Sequence, residues 1–126
     1  MGTYLQMLAL LFPFSYKWPM QPTHAHNMFL QVGVDLGIPG LVAYVAILTS
    51  CLLMVWRARR TFRNFGQRDL EALAAGVFAS LIAMITHGLV DAPLWGTKPS
   101  IVAWFFMGLA AMLYVHSHKS SYAWPL

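Results

Sequence analysis

Charge is what this chain has least of. Only 10% of its 126 residues are Asp, Glu, Lys or Arg, and just four are acids. A soluble domain carries roughly 25% charged residues beside 45–50% apolar ones. Here the apolar share is 59% and the mean hydropathy is +0.60. That is too little charge to coat a soluble surface and too much apolar content for a disordered chain. A lone cysteine, Cys51, excludes a disulfide scaffold and, lying inside an apolar run, carries no information about redox compartment. There is no internal repeat and no low-complexity stretch. Residues 1–37 do not read as a signal peptide, because no cation precedes the apolar run 4–14 and no small-residue cleavage site follows it. What remains is a membrane protein.

The charge that is present is concentrated. The net charge is +4, and Arg57, Arg59, Arg60, Arg63 and Arg68 fall within a dozen residues between two long apolar runs. A nucleic-acid-binding face would spread its cations over an exposed surface, so no nucleic acid partner is expected. A short arginine loop between two spans is instead the mark of a cytoplasmic connection.

A helix needs about 20 mostly apolar residues at 1.5 Å each to span a bilayer. Residues 38–56 meet this with no charge, and residues 70–90 with one acid, Glu71, at the edge. Residues 100–115 are fewer, but a short span is accommodated by interfacial flanks or local thinning. The sequence therefore predicts an all-α integral membrane chain with three transmembrane helices. The arginine loop, 57–69, places itself in the cytoplasm, with the tail 117–126 on the same side. Residues 1–37 and 91–99 then share the outer face, where Trp18 and Trp95 beside Lys17 and Lys98 suit an interface.

Within 1–37, the run 4–14 is short and broken by Pro13, which reads as an interfacial segment or part of a larger outer loop. Pro19 and Pro22 favour an extended stretch. Thr23 or His24 can then open a short outer helix, with Phe29, Leu30, Val34 and Leu36 as its apolar positions. Gly37 suits the left-handed residue after a helix and Pro39 the first turn of the next.

Polar groups on the outer face are few. His24, His26, Asn27, Gln31 and Asp35 come first, His87 and Asp91 follow at the end of the second span, then Thr97 and Lys98. Ionisable groups at a membrane edge are costly to keep and are functional candidates. His24 and His26 can be a solvated helix start or two ligands of a zinc site, which would need a third and usually a fourth ligand. His87 and Asp91, at i and i+4 on one helical face, can supply them. The same spacing also suits an imidazole oriented by a carboxylate for general-base work. Asp35 can mark a helix end facing water, and Asp91 can cap a loop or pair with Lys98. His116 and His118 read as a solvated tail, and Trp104, Phe105 and Phe106 as lipid-facing or packing residues.

One stretch carries a resemblance. Pro22-Thr23-His24-Ala25-His26-Asn27-Met28-Phe29-Leu30-Gln31, followed by Asp35-Leu36-Gly37-Ile38-Pro39-Gly40, resembles the signature of the O-antigen ligase and polymerase superfamily. In that signature a His-Asn pair is followed by nine residues, Gly, two residues and a small residue. Here these are His26-Asn27, 28–36, Gly37, Ile38-Pro39 and Gly40. His87-Gly88-Leu89-Val90-Asp91 resembles the His-x-x-x-Asp stretch one cytoplasmic loop later, and the order of elements agrees over 22 to about 115.

The resemblance implies an inverting, metal-independent glycosyl transfer at the outer face of the bacterial inner membrane. The donor would be a glycan on undecaprenyl diphosphate, a lipid-linked oligosaccharide. The acceptor would be a hydroxyl on lipid A-core, on another glycan or on a protein. It assigns the general base to His26, with Asn27 and Asp91 holding the loop and the imidazole. His24, His87 and Lys98 become candidates for holding substrate. No metal or other cofactor is implied. Family members have around ten or more membrane helices, and their diphosphate-binding arginines lie upstream of the His-Asn block, where this chain has only Lys17. The expectation is a C-terminal portion that works with N-terminal helices of the same protein and with membrane lipids. The alternative is a small non-catalytic membrane protein that packs with other helices.

Overall fold

A long apolar stretch in lipid has to satisfy its backbone internally, and the helix does so without help from neighbours. The computed structural model describes residues 26–91 and 100–122, with Gln6 and Leu10 as isolated positions. Its elements are α1 (Met28–Asn64), α2 (Arg68–His87) and α3 (Ser100–Tyr122), and no strand occurs among the described residues. All three helices are long and apolar enough to cross a membrane. Thr49 and Ser80 return their hydroxyls to the carbonyls of Val45 and Gly76, 2.8 and 2.9 Å away, so neither exposes an unmet polar group to the apolar surroundings.

Each helix buries one narrow stripe. On α1 it is Leu48, Cys51, Val55, Ala58 and Phe62, on α2 Ala74, Val77 and Leu81, and on α3 Ala103, Met107, Ala110 and Leu113. The spacing is three or four residues throughout, the seam of side-by-side helices. Four alanines in that seam let backbones approach, which suits helices that gain little from hydrophobic burial against each other in lipid. The outward faces carry exposed Val42, Leu53, Ile82, Ile101 and Phe105. Of the aromatic run on α3, Trp104 and Phe105 face outwards and Phe106 packs on the core.

α1 is two arms, 28–36 and 38–64, joined at Gly37, where φ is 71° and ψ is −174°. That region is open essentially to glycine alone. In a straight helix, residues 28 and 44 would lie about 24 Å apart. Instead the Tyr44 hydroxyl donates to Met28 Sδ at 2.7 Å, and the Phe29 and Tyr44 rings stand edge to face at 6.0 Å. The short arm therefore folds back along the long one, with Leu36 against Gly40.

The arginine segment differs from the loop expected over 57–69. α1 runs on through Asn64, and only Phe65, Gly66 and Gln67 turn the chain. Arginine is a good helix former, and the end is closed by two capping bonds: Gly66 N–H to Arg63 O at 3.1 Å and Gln67 N–H to Phe62 O at 2.9 Å. Together these form a Schellman motif with Gly66 in the left-handed region. Glu71 on the next helix accepts from Arg63 Nε at 2.8 Å and lies 3.8 Å from Arg59 Nε. α3 likewise passes the expected end at 115. His116 and His118 sit on helix rather than in a tail, Ser117 between them is buried, and the His116 ring lies 6.1 Å from Phe62. Apart from Gln6 and Leu10, the segment 1–25, with most of the proposed interfacial run and Trp18, lies outside the described residues, as do residues 92–99, including Trp95 and Thr97.

Candidate functional site

The start of α1 meets the end of α2. The helix begins one turn later than expected from Thr23 or His24, because Asn27 is its cap. Asn27 Oδ1 accepts from the N–H groups of Phe29 and Leu30, both at 3.0 Å. Those are two of the first-turn donors that a helix leaves without partners. Its amide Nδ2 donates to Leu89 O at 2.9 Å, across 62 residues of sequence. Beside it, Met28 N–H donates to the carbonyl of Gly88 at 2.8 Å. An orphan donor of α1 is thus satisfied by the cap residue of α2, and the positive end of one helix dipole faces the negative end of the other.

This junction leaves no space at Gly88. A Cβ there would stand 2.5 Å from Met28 Cε, and Met28 is fully buried. Beyond Gly88 the chain stays coiled: Leu89 N–H donates to Thr86 O, and Val90 and Asp91 N–H both donate to His87 O at 3.0 Å. Asp91 is held one turn past His87 by these bonds.

Three titratable side chains meet above the junction. His26 Nδ1 lies 3.8 Å from Asp91 Oδ1, and His87 Nε2 lies 3.8 Å from Asp91 Oδ2. One carboxylate therefore faces two imidazoles through different oxygens. The imidazoles are open to solvent and the carboxylate about half so, at 68%, 59% and 43% exposure. At 3.8 Å these are ion-pair distances rather than closed hydrogen bonds. His26 adopts φ 46°, the non-glycine residue in the left-handed region among those described. Histidine is enriched there among side chains, yet the conformation still costs energy and is held by its surroundings. Among the described residues, no three His, Cys, Asp or Glu side chains are arranged to hold a metal ion.

Of the residues singled out from sequence, His26, Asn27, His87 and Asp91 come together. His24 and Lys98 lie outside the described residues. Asp35 accepts from the amide of Gln31 at 2.7 Å, and Gln31 is 4% exposed, so this carboxylate anchors a buried polar side chain rather than simply facing water. Sequence reasoning missed Met28 and Gly88, which form the backbone seam under the cluster. The signal was available, since Asn is among the strongest N-cap residues.

Over 75 residues the chain is 28% identical to a Rickettsia conorii protein named "Putative polysaccharide ligase". The match takes in 58% of this chain and 16% of that protein, so the chain spans about a sixth of the relative's length. No family model matches the chain, and no solved structure matches it. The likeness supports a ligase-like relationship for this helical membrane chain.

Proposed function

We propose that this chain carries the acceptor-activating centre of an inverting glycosyltransferase of the O-antigen ligase kind. It would move a glycan from undecaprenyl diphosphate to a hydroxyl acceptor at the periplasmic face of the bacterial inner membrane. The observation that carries this reading is the convergence of His26 and Asn27 with His87 and Asp91 at one end of the helices.

In the proposed step, His26 Nδ1 faces Asp91 and Nε2 receives the proton of the acceptor hydroxyl. As the acceptor oxygen attacks the anomeric carbon, its proton passes to Nε2 and the bond from that carbon to the diphosphate oxygen breaks. Undecaprenyl diphosphate leaves with the electron pair, and the carbon inverts. Asp91 fixes the imidazole and offsets its new charge. Asn27 holds the backbone that presents His26. His87, with His24 and Lys98, is assigned to substrate. The departing diphosphate requires positive charge or strong donors, so cations from the rest of the active centre complete the site.

The test is glycan transfer in membranes from cells carrying each substitution in the native gene, at matched expression. His26→Ala lowers turnover roughly 10²–10⁴-fold, the usual share of general-base catalysis. Asp91→Asn falls by less, and His24→Ala by least. Chelators leave all three unchanged. Equal loss at His24 and His26, restored by zinc, would replace the base with a metal site. Unchanged transfer in His26→Ala would remove the catalytic reading altogether.

A further inference from the structure

The arginines of α1 divide by helical face. Arg59 and Arg63, one turn apart, point to Glu71 on α2. Arg57 and Arg60 lie on another face, where Trp56, Thr61 and α3 residues Tyr114, Ser117 and His118 join them around a cleft of about 460 Å³. No acid is among the described residues that line it. The Arg60 guanidinium stacks over the Trp56 ring at 4.8 Å, which fixes its plane while leaving its edge donors available. The Tyr114 ring is set edge-on to His118 at 4.7 Å, so the wall opposite is also ordered. Leu53, one turn towards the middle of the helix on the same face, is 46% exposed. The face thus passes from apolar surface to an aromatic rim to two forked cations, the order in which a phospholipid presents acyl chain, glycerol and phosphate.

We propose that this cleft holds the phosphodiester headgroup of an anionic glycerophospholipid from the leaflet at the arginine end, with an acyl chain along Leu53. Arginine matches phosphate oxygens two at a time, and basic pockets between membrane helices are a recurrent form of headgroup site. The inference is independent of the glycosyl-transfer reading, since the cleft lies at the far end of α1 from His26.

The experiment is native mass spectrometry of the purified full chain in detergent with added phosphatidylglycerol or phosphatidylcholine. Phosphatidylglycerol remains bound and phosphatidylcholine does not, and excess inorganic phosphate fails to displace the lipid. Arg57→Gln with Arg60→Gln weakens retention at least about tenfold, the scale of one hydrogen bond to a charged group. Arg63→Gln with Arg68→Gln removes the same charge outside the cleft and changes retention by less than about threefold, the scale of an exposed charge. Equal loss in the two double variants, equal retention of both lipids, or displacement by free phosphate overturns the proposal. A second reading needs no arginine change. Phosphatidylglycerol with brominated acyl chains quenches a share of the tryptophan emission that Trp56→Phe lacks, and identical quenching in both proteins counts against the site.

Discussion

Asn27 does two jobs with one side chain, and substitution can separate them. Its oxygen caps α1 through Phe29 and Leu30, and its amide nitrogen ties the helix start to Leu89. Asn27→Ser keeps a capping oxygen and loses the tie, whereas Asn27→Ala loses both. Loss of an N-cap costs about 1 kcal/mol. The bond to Leu89 is solvent-exposed, so its loss costs about 0.5–1 kcal/mol, the lower part of the usual range. Local opening of the junction then becomes roughly two- to fivefold more frequent in the serine variant and 10- to 30-fold in the alanine variant, at 1.4 kcal/mol per decade. The assay is hydrogen–deuterium exchange of the peptide containing residues 28–30, because the Met28 N–H is protected only while it donates to Gly88. Serine exchanging like the wild type would show that the Leu89 bond holds nothing. Serine matching alanine would show that the cap holds nothing. Either result refutes this division of labour.

Gly88→Ala places a methyl against buried Met28 and costs about 1–3 kcal/mol of stability by overpacking. Thermal unfolding in detergent measures it, and an unchanged midpoint would mean Met28 is free to move. Gly37→Ala forces a side chain into φ 71°, ψ −174° and costs about 1–3 kcal/mol, read in the same way. For orientation, in a Cys51→Ala background, Thr97→Cys reacts with an impermeant thiol reagent on intact spheroplasts and Asn64→Cys only after lysis. The reverse labelling would place the histidine cluster in the cytoplasm.

The turn at Gly37 was legible because a glycine followed at two residues by proline has few other backbone solutions. The three spans were legible from length and hydropathy. The buried face of the short arm was not. Phe29, Leu30, Val34 and Leu36 read as its apolar positions, yet Leu30, Val34 and Leu36 are exposed, while Met28, Gln31 and Val32 are buried. In water an apolar stripe marks the inside of a fold. Beside a bilayer it can equally mark the outside, and the buried face is chosen by close fit and polar pairing, as at Gln31 and Asp35. The extension of α1 to Asn64 was hidden because the arginines end the hydrophobic run without ending the helix. The approach of His26 to Asp91 could not be read from local pattern, since it depends on the fold-back and on where α2 stops.

That fold-back sets an order of events. The arm bearing His26 leaves the ribosome before the helix it folds against, and its partner Leu89 follows Asn27 by 62 residues. At about 5–20 residues per second, the wait is roughly 3–12 seconds. Throughout that interval Asn27, Met28 and His26 have neither Gly88 nor Asp91 to meet. The cluster forms only once α2 has taken its place beside α1. Completion of the histidine–carboxylate arrangement therefore waits on α2, and a chain arrested with the α1–α2 hairpin half inserted lacks it.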